Sequence, residues 1–331
     1  MANYLLACWF FAMDWSYIFM IIWFSFAAYS VIANDSIQTL GTFIESNKKV
    51  KRYYLAAAAS VIAVVVISYS RIVNGGDISR WRLDQIPFPQ SFTIWHALAP
   101  LLLLVLTRFG IPVSTSLLVL SVFAVESTIV SMVMKSVRWY VIAFVVAYVM
   151  WHFVARIIDW ITDRRSWWSL GSFSVNWRVL QGLSTAYLWG VWLMHDMANI
   201  AVYLPRSMSL NYLIFTLVLI VWGLFFIFWK KGGRIQHIVK SKTNTNFIKH
   251  ATIIDFVYAC VLLYFKQINN IPMSTTWVFV GLLAWRELAI VAYSGVKHRY
   301  PHVFQIIGKD LFKVTLGLVI SIALALQIAS M

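Results

Sequence analysis

Charge is scarce in this chain of 331 residues. Asp, Glu, Lys and Arg together make up 12%, about half of what a soluble domain carries. A soluble core wrapped in a solvated charged surface is therefore excluded. Cysteine is nearly absent. Cys8 and Cys260 both lie in apolar stretches and offer neither a metal-ligand spacing nor a disulfide framework. Several enzyme signatures are missing too: no nucleotide-binding phosphate loop, no His-Glu-x-x-His and no Gly-x-Ser-x-Gly. Nor does any segment alternate with the period of two that marks a membrane β-barrel. The first thirteen residues contain no Lys or Arg, and no small-residue cleavage site closes a compact apolar run. That end is expected to be retained rather than removed as a signal peptide.

What is there is apolar. Hydrophobic residues make up 61% of the chain, and the mean hydropathy is +0.77. Apolar segments fall near 4–20, 22–46, 54–73, 93–107, 117–134, 139–158, 183–205, 210–229, 251–267, 276–293 and 312–329. Many approach the roughly 20 residues that cross a bilayer. Inside a bilayer every backbone polar group must be satisfied within the segment, so these read as helices. The net charge of +15 does not indicate nucleic acid, because the basic residues sit in short loops beside apolar segments. That is the cytoplasmic excess of Lys and Arg expected of a multi-pass membrane protein. The 17 Trp and 15 Tyr suit the membrane–water interfaces.

Two polar motifs interrupt the apolar pattern, and both recur. Ala33-Asn34-Asp35 is matched by His195-Asp196-Met197-Ala198-Asn199. Ile111-Pro112-Val113-Ser114-Thr115-Ser116 is matched by Ile271-Pro272-Met273-Ser274-Thr275-Thr276. Asp35 and Asp196 are 161 residues apart, Pro112 and Pro272 are 160 apart, and the Asp-to-Pro spacings within the halves are 77 and 76. Two unrelated motifs in the same order at one offset indicate a duplication. If each Pro-Ser-Thr motif is the tip of a re-entrant helical hairpin, each half crosses the membrane three times and the second half is upside down. The charges agree: 48–52, 159–182, 230–250 and 294–311 are basic and expected in the cytoplasm, whereas 74–92 balances Arg80 and Arg82 against Asp77 and Asp84 and is expected outside. The expected fold is all-α: a polytopic transmembrane helical protein of two inverted repeats, each with a re-entrant hairpin. An N-terminal apolar segment spans 1–21, the first repeat 22–160, a cytoplasmic linker 161–182 and the second repeat 183–331.

The motifs carry complementary chemistry. An Asp at bilayer depth costs about 2.5–3.5 kcal/mol on insertion scales. A symmetric pair, Asp35 and Asp196, is better explained by cation binding than by two packing contacts. The tips do the opposite. Pro tolerates a helix start, Ser and Thr cap it, and the helix N-terminus favours anions. A capped kink would explain one tip alone; two tips beside an Asp pair suggest an oxyanion cradle, with Ser114, Thr115, Ser274 and Thr275 around the substrate. A divalent anion near two carboxylates is repelled unless a cation lies between them, so cradle and acids together imply symport. Glu126 and Glu287, also 161 apart, fall near the interface and read as anchors, while His96 and His152 read as structural histidines.

These motifs resemble those of the inorganic phosphate transporter (PiT) family, whose repeats carry Gly-Ala-Asn-Asp-Val-Ala-Asn-Ala-type and Pro-Val-Ser-Thr-Thr-type motifs. The Gly41-Thr42 that follows the first motif matches as well. The resemblance covers the chain by motif order and spacing. It implies sodium- or proton-coupled uptake of inorganic phosphate, adds Asn199 to the substrate residues, and groups Asn34 with Asp35 and Asp196 around the coupling ion. No cofactor is implied, nor any metal apart from that ion. The expected partners are phosphate and the lipid bilayer of a plasma or inner membrane, with a homo-oligomer allowed. Gln38 stands where the first motif usually has Asn, and His195 where the second has the Asn before Asp. A histidine side chain can take up a proton near neutral pH, so His195 beside Asp196 brings proton coupling into the reading. Sulfate or another tetrahedral oxyanion would fit the same cradle. From other classes, His195 and Asp196 could serve a membrane enzyme as base and acid, and a receptor could retain the fold without transport.

Overall fold

The computed structural model describes residues 15–111, 113–138, 176–232, 236, 248–268, 274–294 and 300–329, with a few scattered positions between 141 and 153. Pro112 and Pro272, residues 1–14 of the N-terminal segment and most of the 161–182 linker lie outside them. Among the described residues the chain is helical, without strands. Four helices are long and apolar enough to cross a membrane: Trp15–Ser46, Arg52–Val73, Leu210–Trp229 and Tyr300–Gln327. Two shorter apolar helices lie at Trp95–Arg108 and Ala251–Tyr264.

The first long helix consists of α1 (Trp15–Val31), a π-helical turn at Ile32–Ser36 and α2 (Ile37–Ser46). It runs through residue 21, the boundary expected between an N-terminal segment and the first repeat. No turn residue interrupts Trp15–Val31, so the polypeptide has no local reason to break there. Then come α3 (Arg52–Val73), α4 (Trp95–Arg108), α5 (Thr115–Leu120) and α6 (126–138). The single apolar segment expected at 117–134 is thus split by a turn at 121–125. The second half holds α7 (Trp177–Asp196), α8 (Ala198–Ala201), α9 (Leu210–Trp229), α10 (Ile248–Ile268), α11 (Thr275–Ser294) and α12 (Tyr300–Ala329). Helix α7 begins inside the expected linker because the Asn176 side chain accepts the Arg178 N–H and caps it.

Packing repeats between the halves. Within each half the motif helix packs on the helix that precedes the tip, α1 on α4 and α7 on α10. Helices α3 and α9 occupy matching positions in the two halves, pack on each other and run in opposite directions. At one end Arg52 Nη1, at the start of α3, donates to the Trp229 carbonyl at the end of α9 (3.2 Å). At the other end Arg71 Nε donates to the Met208 carbonyl (2.9 Å). The basic 48–52 and 230–231 loops therefore share one face, and loops 74–94 and 202–209 share the other. Gly76 lies at that second junction with φ +101°, where a Cβ would come within 2.8 Å of Ser207 Oγ. Small side chains admit large ones in the interior, as is common between membrane helices. Trp189, fully buried on α7, donates Nε1–H to the Ala59 carbonyl of α3 (3.0 Å) beside the small residues Ala56 and Ala63.

Candidate functional site

Both motif helices change their hydrogen-bond pattern where their acids lie. The π turn places Asn34, Asp35 and Ser36 in the interior; such turns recur at functional sites because they widen the helix and free backbone groups. The Ser36 hydroxyl donates to the Ile32 carbonyl of that turn. In the second half Asp196 is the last residue of α7, and Asn199 lies on α8 just beyond Met197. Asp196 lies within the 183–205 segment, as expected, and the backbone stays in the helical region through Met197. Asn34, Asp35, His195, Asp196 and Asn199 are all buried, Asp35 at 0% exposure.

The tips are helix starts. Ser114 Oγ accepts the Leu117 N–H (3.2 Å) and Ser274 Oγ accepts the Trp277 N–H (3.2 Å). These two serines cap α5 and α11, while the residues after them turn toward the acids. Thr115 Oγ1 donates to Asp35 Oδ1 (2.7 Å) and accepts from Asn34 Nδ2 (3.1 Å). The Thr275 side chain lies beside Asp196, within electrostatic reach of its carboxylate.

The halves also cross. Ser116 of the first tip donates to Asp196 Oδ1 (3.2 Å). Gln38 Nε2 of the first motif helix donates to Thr276 Oγ1 of the second tip (3.2 Å), and Thr276 Oγ1 donates to the Val113 carbonyl of the first tip (3.0 Å). Asn34 Nδ2 donates to that same carbonyl (3.0 Å). Sequence reasoning quoted Ser116 and Thr276 within the motifs and Gln38 as a departure, yet chose none of them as site residues. It missed Tyr258 on α10 altogether. The Tyr258 hydroxyl donates to the Thr275 carbonyl (3.2 Å), and no motif marks that position. His195 is buried here, but its Nε2–H points to the Leu262 carbonyl of α10 (2.8 Å).

The donors leave an oxygen-rich centre. Asn199 Nδ2 donates to Asp196 Oδ1 (3.2 Å) and Asn34 Nδ2 to Asp35 Oδ1 (2.6 Å). Asn34 Oδ1, Asp35 Oδ2, Gln38 Oε1, Asp196 Oδ2 and Asn199 Oδ1 are buried acceptors with no donor among the described residues. Asp35 and Asp196 lie within electrostatic reach of one another. Buried polar groups are nearly always satisfied, and carboxylate and amide oxygens of this kind are the ligand type that a hard cation takes.

Above the site, Pro100 lacks the N–H that would bond the His96 carbonyl one turn earlier. The buried Tyr203 hydroxyl donates to that carbonyl (3.0 Å). The Tyr203 ring meets Phe123 edge-on and Phe92 face-on, so these aromatic side chains pack together between loops 74–94 and 202–209.

No protein-family model and no curated protein matches the chain. A solved structure does: the sodium-dependent phosphate transporter superposes with a TM-score of 0.63, over 95% of this chain and 99% of that one, at 16% identity. At that identity the likeness establishes the fold. The chain is an integral membrane protein, helical throughout its described secondary structure, with a transporter fold.

Proposed function

We propose that this protein is a secondary transporter that carries inorganic phosphate across a membrane together with a cation, its two halves acting as inverted repeats around one site. The observation that carries the reading is the crossed constellation. Each tip bonds to both halves, and the residues bonded there carry five buried oxygens without donors among the described residues. In broken-helix transporters, helix N-termini face the anion while oxygens hold the ion. Asn34, Asp35 and Asp196 are the cation residues of this reading, and Thr115, Thr275 and Asn199 face the substrate. Ser114 and Ser274 serve it by shaping the tips. The antiparallel packing of α3 and α9 supports the inversion. The protein that shares the fold is named for sodium-dependent phosphate transport, and an all-oxygen donor set favours sodium over a proton. His195 then orients its helix through Leu262. An enzyme reading with His195 as base has less support, because its Nε2 is bound to a backbone carbonyl.

Radiolabelled phosphate uptake into proteoliposomes, under a sodium gradient and separately under a proton gradient, tests this. Phosphate is expected to accumulate under the sodium gradient, and Asp196→Asn is expected to abolish accumulation. Accumulation of sulfate alone would keep the machine and change the substrate. If neither anion moves under either gradient, the reading is wrong.

A further inference from the structure

Helix α9 ends in a ladder of rings. Trp222 stacks on Phe226 with centroids 5.6 Å apart, and Phe226 meets Trp229 edge-on at 5.9 Å. Their spacing of four and then three residues puts them on one helix face. Tyr29 of α1 packs against Trp222 and Phe226 (6.2 and 6.0 Å) and fixes that part of the ladder. Where α3 faces these rings it carries Ala56, which is fully buried and too small to fill the space. The result is a groove of about 910 Å³, with the α9 rings on one side and Lys49, Lys51, Arg52 and Tyr53 on the other. A second cavity of about 260 Å³ shares Lys48, Val50 and Arg52 with it and reaches Lys231.

The groove is basic at one end and apolar along its wall. Neither 46–76 nor 197–254 contains an Asp or Glu, so the two stretches of chain that form it bring charge of one sign. The acid beside it is Glu45, which pairs with Lys48. Lys230 lies over the rings of Trp229 (4.8 Å) and Phe226 (5.7 Å), and Lys51 over that of Tyr53 (6.0 Å). Lys231 takes φ +61° in the turn that closes α9, where its N–H donates to the Phe228 carbonyl (3.1 Å). Trp222 and Trp229 are 57% and 67% exposed on a helix long and apolar enough to cross a membrane. In a bilayer such a face meets lipid, and the lysines beside its end stand at headgroup level. A symmetric contact with a second copy would instead set basic groove against basic groove.

We propose that the groove between α3 and α9 binds an anionic phospholipid, with its phosphate among Lys49, Lys51, Arg52 and Lys231 and an acyl chain along the Trp222–Phe226–Trp229 ladder. Basic pockets between membrane helices take acidic headgroups by this chemistry. The ladder covers seven residues, about 10 Å of helix, enough to hold the upper part of an acyl chain. The inference is independent of the transport reading, since it needs the bilayer and not the cargo. A lipid seated here joins α3 to α9, and with them the two halves, beside the bond from Arg52 Nη1 to the Trp229 carbonyl (3.2 Å). It therefore stabilises the fold.

The test is the thermal stability of the purified full chain in neutral detergent, with dioleoyl phosphatidylglycerol or dioleoyl phosphatidylcholine added, together with lipid affinities from native mass spectrometry. Phosphatidylglycerol should raise the Tm by several degrees, and phosphatidylcholine should not. Lys49→Gln combined with Lys51→Gln should weaken phosphatidylglycerol binding by about tenfold or more, the scale of two basic residues at a lipid surface. Lys231→Gln, from the other side of the groove, should weaken it severalfold by itself. Lys309→Gln combined with Lys313→Gln removes the same charge from α12, outside the groove, and should leave affinity unchanged. In lipid-free detergent the Lys49 and Lys51 variant should melt with the wild type, because both side chains are exposed. Equal Tm shifts from the two lipids, or equal losses from the two lysine pairs, would overturn the proposal. Glycerol 3-phosphate is the headgroup phosphate without chains. If it raises the Tm as far as the lipid does, and loses that effect in the Lys49 and Lys51 variant, the groove is a site for a free anion and the lipid assignment fails. A dimer that crosslinks through Trp222→Cys and is undisturbed by phosphatidylglycerol would also overturn it, by giving the groove to a second copy.

Discussion

Asp255 shows how differently two kinds of buried carboxylate are used in this protein. Its Oδ1 accepts the Thr42 hydroxyl (2.6 Å) and its Oδ2 the Thr185 hydroxyl (2.6 Å), so it ties α2, α7 and α10 together with both oxygens engaged. Asp35 and Asp196 each keep one oxygen without a donor. Asp255 therefore reads as a fastening and the motif pair as ion ligands. Thr185→Val should lower stability by about 1.5–3 kcal/mol, the worth of a hydrogen bond to a charged group, measured as a fall in Tm, while the cation dependence of uptake stays as in wild type. A change in cation dependence at constant Tm would move Asp255 into the ion path. At this scale the sequence was informative where chemistry is packed into a short string. Asp35, Asp196, Thr115 and Thr275 could all be named because a polar residue in an apolar run stands out. The burial of Arg82, which is 3% exposed, could not be foreseen, since a loop with two acids and two arginines looks neutral and solvated until its backbone, with Arg80 and Trp81 at positive φ, turns one arginine inward.

Among the elements, the interruptions carry as much as the helices. The π turn at Ile32–Ser36 and the turn residue Met197 lie next to the two acids, Asp35 and Asp196. The tips put Ser114 and Ser274 at the helix starts as caps. Capping predicts a particular order of effects. Ser274→Ala should cost about 1 kcal/mol and Ser274→Gly only a few tenths, read as Tm, with phosphate affinity following stability in the same order. Equal loss of affinity in both variants at unchanged Tm would place the hydroxyl on the substrate. The long helices could be anticipated from hydropathy, whereas the division of 117–134 and the extension of α7 to Trp177 could not. Hydropathy averages over a window and cannot see a cap such as Asn176 or a turn such as 121–125.

The whole molecule is organised by two faces. Arg52 meets Trp229 at one, and Arg71 meets Met208 at the other, so the matching helices α3 and α9 run antiparallel. Lys230 lies over the Trp229 ring (4.8 Å) at the first face, an arrangement suited to a membrane–water interface. In a chain freed of Cys8 and Cys260, cysteines introduced at Lys49 and Lys231 should react with an impermeant thiol reagent from one side only. Cysteines at Gln90 and Ser207 should react only from the other. Labelling of Lys49→Cys and Ser207→Cys from a common side would overturn this arrangement.

What the sequence determined by itself is what depends on composition and local order: a helical membrane protein, two halves with the same two motifs, and the polar residues that those motifs place in apolar segments. Bilayer insertion and helix capping act on contiguous residues, so their signals are written in contiguous strings. Only the tertiary structure decided which residues meet. The crossing of Ser116 to Asp196 and Gln38 to Thr276, the acceptor role of the Val113 carbonyl for both Asn34 and Thr276, the turning of His195 toward Leu262 and the burial of Arg82 each join residues far apart in the chain. They follow from the packing of whole helices and the strained path of one loop, and no local pattern encodes either.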